Sequence, residues 1–178
     1  LTPLSTAFEN RGFSLALVGG SVRDAILGRG ISDIDLTTNA KPAQIKEILE
    51  EWADAIWETG MSFGTVSGKK EGIEVEITTF RSDQYRNESR KPEISFSEKI
   101  EDDLARRDFT INSIAFELTN CGGSQKHSLI DPFGGIDDLA KKIIRTPAIP
   151  QNSINEDPLR SLRAIRFAAQ LNFTIELD

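Results

Sequence analysis

Cysteine and histidine are almost absent from this sequence, since its 178 residues contain one of each, Cys121 and His127. A single cysteine excludes an internal disulfide bond and is typical of a reducing compartment such as the cytoplasm. With one histidine in the whole chain, Cys121 is a weak candidate for an activated nucleophile. His127 is an equally weak candidate for a metal ligand.

Long apolar runs and positive charge are also scarce. No run approaches the length of a membrane span, and no basic segment followed by an apolar one opens the chain. The 21 Lys and Arg against 28 Asp and Glu give a net charge of −7, which argues against a general nucleic-acid coat. Acids predominate over residues 31–60 and bases over residues 141–170. This distribution fits an acidic metal-binding end facing a basic triphosphate- or RNA-binding end, with uneven surface charge as the alternative.

Because the chain starts with Leu1 rather than Met, we expect a fragment of a longer protein.

A glycine turn follows the first strongly apolar run. Leu15–Val18 suits a buried strand, and Gly19-Gly20 interrupts it where backbone N–H groups can approach a ligand closely. We expect Ser21 to cap a short helix over residues 22–27. A helix N-terminus after such a turn favours anions, and Arg23 adds donors for phosphate. A turn without a ligand is the alternative.

Two aspartates follow within the same two dozen residues. Asp33 and Asp35 lie two apart on a strand predicted over residues 32–38, so their carboxylates share a face. Adjacent carboxylates are costly unless a cation joins them or one is protonated. Mg²⁺ is the favoured cation because it prefers oxygen ligands and leaves positions for substrate phosphates. A solvated strand face is the alternative.

A further strand, predicted over residues 73–80, carries acids on one face only. Ile73, Val75 and Ile77 alternate there with polar side chains. Glu74 and Glu76 are therefore rival candidates for a third carboxylate beside the aspartates. An exposed hairpin face is the alternative for both.

The remaining patterns place the other elements. Helices are predicted over residues 4–10, 42–52, 99–107 and 136–141, and strands over 55–58, 63–67 and 143–146. Residues 114–118 are predicted to form a strand or a helix end, and residues 129–135 a strand end and tight turn. A turn is predicted over 68–72, and loops over 81–100 and 120–128. A last helix should open at Asp157-Pro158, with Asp157 as its N-cap and Pro158 at its first position. It carries Arg160, Arg163 and Arg166 at intervals of three, which suits planar recognition of base edges or phosphate. A solvated basic face is the alternative.

Three blocks carry a resemblance to a known family. They read GGSVRD at residues 19–24 followed by DID at 33–35, RRDFTINS at 106–113, and EDPLRSLRAIRF at 156–167. In this order they resemble the signatures of class II, bacterial-type tRNA nucleotidyltransferases and poly(A) polymerases, within the DNA polymerase beta superfamily. The resemblance implies an α+β nucleotidyltransferase head over residues 1–147, with a mixed sheet of about five strands. Residues 148–178 would begin a truncated α-helical neck.

The resemblance also implies an activity. It implies template-independent transfer from CTP and ATP to the 3′ end of tRNA (CCA addition) with Mg²⁺ as cofactor. Asp33 and Asp35 would hold the metal, and Glu76 would be the third catalytic carboxylate. Arg107 would bind the triphosphate or base and Asp108 the ribose hydroxyl. For Asp108 the alternative is a cap of the next helix that pairs locally with an arginine. The nucleotide-binding residues it implies are Gly19, Gly20, Ser21, Arg23, Arg107, Asp108, Asp157, Arg160, Arg163 and Arg166.

Other functions share these blocks. Poly(A) polymerases and A-adding tRNA nucleotidyltransferases carry them too, and a head without its RNA-holding part could be a non-catalytic nucleotide- or RNA-binding module. The polar loop over residues 81–100 resembles one that CCA-adding enzymes carry and CC-adding relatives lack, which disfavours a CC-only enzyme.

Overall fold

The computed structural model describes residues 1–31, 33–84, 93–119 and 128–176. Helices alternate with short strands along this part of the chain. The α-helices are α1 (Thr2–Glu9), α2 (Gly20–Ile26), α3 (Pro42–Trp52), α4 (Ile100–Ala105), α5 (Gly135–Lys141), α6 (Pro150–Glu156) and α7 (Leu159–Leu171). Single turns of 3₁₀-helix span Met61–Phe63 and Thr110–Asn112. The strands are β1 (Leu15–Val18), β2 (Ile34–Thr38), β3 (Ala55–Trp57), β4 (Thr65–Lys70), β5 (Ile73–Thr79), β6 (Arg81–Gln84), β7 (Glu93–Phe96), β8 (Ala115–Glu117), β9 (Leu129–Ile130), β10 (Ile143–Ile144) and β11 (Thr174–Ile175).

Seven of these strands form one mixed sheet in the order β3-β4-β5-β2-β1-β8-β9. β2 and β5 are parallel, and the other neighbours are antiparallel. The α+β class and the mixed sheet are confirmed, with more strands than the five expected because β8 and β9 extend the edge beyond β1. None of the described helices is long and apolar enough to cross a membrane.

Two larger hydrophobic clusters lie on the sheet. In the first, α1 and α3 cover residues of β1, β2, β4 and β5, with Phe8 and Ile48 fully buried. In the second, Val22 of α2 and Ile111 pack with Phe167 of α7 and Phe173. The last helix therefore shares a core with the elements that surround the glycine turn.

The strongly periodic segments form as the sequence predicts. β1 and α3 have the expected bounds, and β5 alternates between buried Val75 and Ile77 and the more exposed Glu76. β4, however, runs through Gly68, where the sequence predicted a turn. A Cβ at Gly68 would lie 3.2 Å from the nearer methyl carbon of Leu49. Here the glycine lets α3 pack closely on a strand.

The prediction of a loop over residues 81–100 is wrong at both ends of that range. β6 and β7 pair antiparallel there, with Arg81 opposite Phe96, and α4 starts at Ile100. Residues 85–92, the middle of the predicted loop, lie outside the described residues, as does most of the loop predicted over 120–128. Helix α6 was not predicted, because its polar sequence has no apolar period.

Candidate active site

A cleft of about 800 Å³ lies between the glycine turn, the start of β2 and helix α7. Most of the residues proposed from the sequence line it, and they come from all three sequence blocks. These are Gly19, Gly20, Ser21, Arg23, Asp33, Asp35, Arg107, Asp108, Arg163 and Arg166. The cleft thus brings together residues as far apart in sequence as the first strand and the last helix.

The glycine turn is fixed by the arginine behind it. Gly19 has a φ of 70°, a conformation that costs glycine little. A Cβ at this position would lie 2.9 Å from Nη1 of Arg107, so the turn and the guanidinium are in close contact. Helix α2 begins directly afterwards, at Gly20.

Ser21 does not cap α2, contrary to the sequence prediction. It lies inside the helix, and its Oγ donates to the carbonyl oxygen of Asp33 at 2.7 Å. The same Oγ accepts from the backbone N–H of Asp35 at 3.1 Å. Ser21 therefore fixes the backbone that carries both aspartates. The strand predicted from residue 32 begins only at Ile34, so Asp33 lies just before β2.

Three carboxylates converge at this end of β2. Asp35 stands opposite Glu76 in the parallel β2–β5 pairing, so the two side chains share a face. Burial raises the pKa of Asp35, and the negative charge of Asp33 raises it further, against the lowering effect of Arg107. Burial, then Asp35 and Asp33, also raise the pKa of Glu76. Concentrated negative charge of this kind favours a bound cation.

Glu74 shares a face of β5 with Glu76 but has a cationic partner of its own. Its Oε1 accepts from Nζ of Lys69 at 2.7 Å, in an exposed pair across the β4–β5 hairpin. Because Glu74 already has a cationic partner, the geometry favours Glu76 over Glu74 as the carboxylate closest to the aspartates.

The donor set suits Mg²⁺. Among the described residues, no group of three or more Asp, Glu, His or Cys side chains is arranged to hold a metal ion. Mg²⁺ nonetheless needs only one or two carboxylates when substrate phosphates complete its coordination. Asp33 and Asp35 supply such a pair.

Asp103, which sequence analysis missed, orients the arginine behind the glycine turn. Its fully buried carboxylate accepts from Nη2 of Arg107 at 2.9 Å, and from Nε and Nη2 of Arg106 at 3.0 and 2.8 Å. Burial alone would raise the pKa of Asp103, but Arg107 and Arg106 hold it below its usual value. Thr37 of β2 donates to the same carboxylate at 3.3 Å. The only sequence signal was an acid three and four positions before two arginines on a helix.

Arg23 is held by protein partners. Its Nε and Nη2 donate to both carboxylate oxygens of Asp24 at 3.0 and 2.8 Å, and its Nη1 donates to Oδ1 of Asn112 at 2.7 Å. Arg23 thus presents its positive charge to the cleft in a fixed orientation, with most of its donors already used.

Asp108 joins the central block to the last helix. Its Oδ1 accepts from the backbone N–H of Phe109 and from Nδ2 of Asn112, both at 2.9 Å. Its Oδ2 accepts from Nε and Nη2 of Arg163 at 2.7 and 2.6 Å. Asp108 does not cap the following 3₁₀ turn, whose N-cap is Phe109, and its arginine partner lies across the cleft and not nearby in sequence.

Phe167 is a second residue that sequence analysis missed. The guanidinium carbons of Arg23, Arg163 and Arg166 lie 5.0, 5.5 and 5.0 Å from the centre of its ring. Phe109 contacts the same ring edge-on, with centroids 5.7 Å apart. Three cations around one aromatic ring give the cleft a basic wall.

Arg160 and Asp157 lie away from this cleft. Arg160 is 7% exposed, donates to Oγ of Ser153 at 2.6 Å and to the carbonyl of Arg106 at 2.8 Å, and lines a separate hollow of about 230 Å³. Asp157 accepts from the backbone N–H of Leu159 at 3.0 Å, as a cap does, although Pro158 precedes the helix instead of opening it. The base-recognition roles implied for both residues stay predictions.

A mixed sheet that holds paired carboxylates beside a glycine turn, with a basic wall opposite, defines a nucleotidyltransferase head. Comparison with family models agrees, because the model described as "Poly A polymerase head domain" matches residues 15–145. The chain belongs to this family, and the resemblance found in the sequence is confirmed.

Individual relatives with similar sequences are CCA-adding enzymes. The chain is 39% identical over 175 residues to a CCA-adding enzyme of Lactobacillus helveticus and 41% identical over 174 residues to one of Levilactobacillus brevis. These alignments cover 98% and 97% of this chain but 41% of each relative. The chain therefore spans about two fifths of the length of these relatives.

Solved structures show the same likeness. The Bacillus stearothermophilus CCA-adding enzyme in complex with CTP superposes with a TM-score of 0.84 at 34% identity, over 99% of this chain and 40% of that one. A tRNA nucleotidyltransferase complexed with a primer tRNA and an incoming ATP analog superposes with a TM-score of 0.79 at 32% identity, over 97% of this chain and 46% of that one.

Proposed function

We propose that this protein is the head of an enzyme that adds nucleotides from CTP and ATP to the 3′ end of tRNA, completing the CCA sequence. The observation that carries the proposal is the position of Asp33 and Asp35, between the glycine turn with its basic wall and the carboxylate of Glu76. The named CCA-adding relatives support the choice of substrate.

The basic side of the cleft would bind the nucleoside triphosphate. Gly19 and Gly20 line the same space as the positive charges of Arg23 and Arg107, and polyphosphate would be held there. Transfer requires the 3′ hydroxyl oxygen of the RNA to attack the α-phosphorus, the bond to the bridging oxygen to break, and pyrophosphate to leave.

Asp33 and Asp35 would hold Mg²⁺, with Glu76 as the third carboxylate beside them. When bound, two such ions stabilise both the attacking and the leaving oxygen of an in-line displacement. Ser21 keeps the two aspartates in register with the glycine turn through its contacts to the backbone of both residues.

The neighbouring residues would select the nucleotide. Asp108 would accept from a ribose 2′ hydroxyl in addition to its present partners, which would favour ribonucleotides. Arg163 and Arg166 line the cleft and would contact the nucleotide from α7. Asp157 and Arg160 lie outside the cleft, so the base-reading role that the family resemblance implies would require Arg160 to leave Ser153 and the carbonyl of Arg106.

The test is a transfer assay on the complete natural polypeptide that contains this chain, with tRNA lacking its 3′-terminal CCA. Addition of C-C-A supports the proposal. Addition of A alone, a long A tail or no product would indicate an A-adding enzyme, a poly(A) polymerase or a binding module, respectively.

D33A and D35A should each abolish transfer, whereas D137A, at an exposed acid on α5, should not.

A further inference from the structure

A row of side chains crosses four strands of the sheet and ends at the aspartates. Trp57 on β3 stands opposite Ser67 on β4, Ser67 opposite Glu76 on β5, and Glu76 opposite Asp35 on β2. Residues opposite one another in a sheet point to the same face, so all four side chains share the surface that carries the carboxylates. Three strand spacings separate Trp57 from Asp35, about 14 Å.

A second hollow lies over this row. It has a volume of about 150 Å³ and shares Asp33 and Asp35 with the large cleft, but its other walls are different. Trp57, Ser67 and Glu76 line it. Since β2 lies between β1 and β5 in the sheet, the two hollows lie on opposite sides of the aspartates.

Trp57 is a large apolar side chain that remains accessible beside the carboxylates. It is 41% exposed and lines the second hollow. Its opposite neighbour Ser67 is small, which leaves an open floor between the indole ring and Glu76. Exposed aromatic rings of this kind are platforms on which nucleobases stack.

The charge of the second hollow differs from that of the large cleft. Its described lining contains the acids Asp33, Asp35, Glu74 and Glu76 and no Lys or Arg. Such a surface repels phosphate but accepts hydrogen bonds from hydroxyl groups. It suits the sugar and base at the end of a strand better than the triphosphate.

We infer that the hollow bounded by Trp57, Ser67 and Glu76 receives the 3′-terminal nucleotide of the RNA acceptor, with its base stacked on Trp57. The inference rests on the proposed function and names the acceptor side of that same site. In-line transfer needs the attacking hydroxyl on the side of the α-phosphorus opposite the leaving pyrophosphate. Two hollows on either side of the aspartates meet that requirement. Trp57 is thus a positioning residue for the acceptor.

Kinetics with tRNA lacking CCA provide the first test, on the complete polypeptide. W57A should lower kcat/KM for tRNA by roughly 5- to 140-fold, the range expected for one lost base–aromatic stack. KM for CTP should not change, and W57F should retain most of the activity because it keeps an aromatic face. The matched control is I73A, at a similarly exposed apolar residue on the opposite face of β5.

Two kinetic results would overturn the inference. One is an unchanged kcat/KM for tRNA in W57A, and the other is an equal loss for CTP and tRNA. Absence of transfer in the unmutated enzyme would contradict the proposed function instead, and the binding measurement below would then decide the inference alone.

Fluorescence provides this second test. This chain has two tryptophans, Trp52 and Trp57, so the difference in fluorescence between the unmutated protein and W57F isolates the contribution of Trp57. A single-stranded tetraribonucleotide with a free 3′ hydroxyl should quench the unmutated protein saturably and W57F not at all. Equal quenching of both proteins, or quenching by CTP but not by the RNA, would show that Trp57 does not stack on the acceptor.

Discussion

At the scale of single residues, Asp35, which we propose binds Mg²⁺, carries a charge that destabilises the fold of the metal-free protein. Burial and the nearby charge of Asp33 raise its pKa, so the folded protein binds this proton more tightly than the unfolded chain does. The stability that the proton contributes is present below the ordinary carboxyl pKa, and is lost as the pH rises through the value in the fold. Metal-free protein at neutral pH therefore contains an unfavourable charge at this position.

Replacing Asp35 by asparagine should consequently have opposite effects on stability and activity. D35N should raise the free energy of unfolding of the metal-free protein at neutral pH, with the advantage disappearing near pH 4, while transfer is lost. Denaturant unfolding at both pH values, with D137N as the surface control, measures the difference. A D35N protein that is less stable than its parent at neutral pH would contradict this assignment.

Asp103 should behave in the opposite way with pH. Arg107 and Arg106 hold its pKa below the usual value, so its contribution to stability is present at neutral pH and is lost as the pH falls below the ordinary carboxyl range. Removing one partner of a buried ion pair leaves an uncompensated charge. D103N should therefore lower the free energy of unfolding by about 3–5 kcal/mol at neutral pH.

Urea unfolding measured from neutral to acidic pH checks this prediction. The difference in the free energy of unfolding between D103N and the unmutated protein should become smaller as the pH falls. R106K is a useful companion, because it keeps a cation beside Asp103 and leaves Arg107 in place. If this difference in the free energy of unfolding does not change with pH, Asp103 acts through packing alone.

At the scale of elements, the accuracy of sequence-based prediction followed the strength of the local pattern. β1, α3 and β5 have clear apolar periods, and the structure forms them as predicted. Gly68 was misinterpreted because a glycine that makes room for a packed helix looks, in sequence, like one that makes a turn. β6 and β7 were missed because β6, with the sequence RSDQ, contains no apolar residue and shows no alternation.

The start of α5 is another place where a glycine is required by packing. A Cβ at Gly135 would lie 2.1 Å from the carbonyl oxygen of Thr110 and 2.8 Å from Cγ1 of Ile114. Because the first of these atoms belongs to the backbone, G135A should destabilise the protein by at least about 1–3 kcal/mol.

Thermal unfolding of G135A and G30A tests this packing. A Cβ at Gly30 would meet no atom within 4 Å beyond its chain neighbours, so G30A should change the melting temperature little. Similar melting temperatures for the two variants would show that α5 can shift away from Thr110 without cost.

At the scale of the whole molecule, some site residues could be predicted from the sequence blocks, whereas others are brought together only by the fold. Gly19, Asp33 and Asp35 could be found because they lie close together in sequence. Phe167 could not, since its role depends on arginines from two distant segments that meet around its ring. The placement of Arg160 was equally beyond the sequence, because its partners Ser153 and Arg106 belong to separate elements.

Cation binding should be visible as a property of the complete fold. A ligand that binds only the folded state stabilises it by about 2.7 kcal/mol at a concentration 100 times its dissociation constant. Mg²⁺ should therefore raise the melting temperature of the unmutated protein, and less so that of the double variant D33N/D35N. Equal shifts for both proteins would place the bound Mg²⁺ elsewhere.

The attachment of α7 has a mechanical consequence. The strand after this helix, β11, pairs in parallel with β10 through Ile143–Thr174 and Ile144–Ile175, and Phe173 is buried against the head. Helix α7 is thus fastened beyond its C-terminal end as well as through the Asp108–Arg163 pair near its middle. A rigid-body rotation of α7 away from the head would have to break both the β10–β11 pairing and the Asp108–Arg163 ion pair. If the site accepts both CTP and ATP as we propose, we expect individual side chains to rotate while helix α7 stays in place.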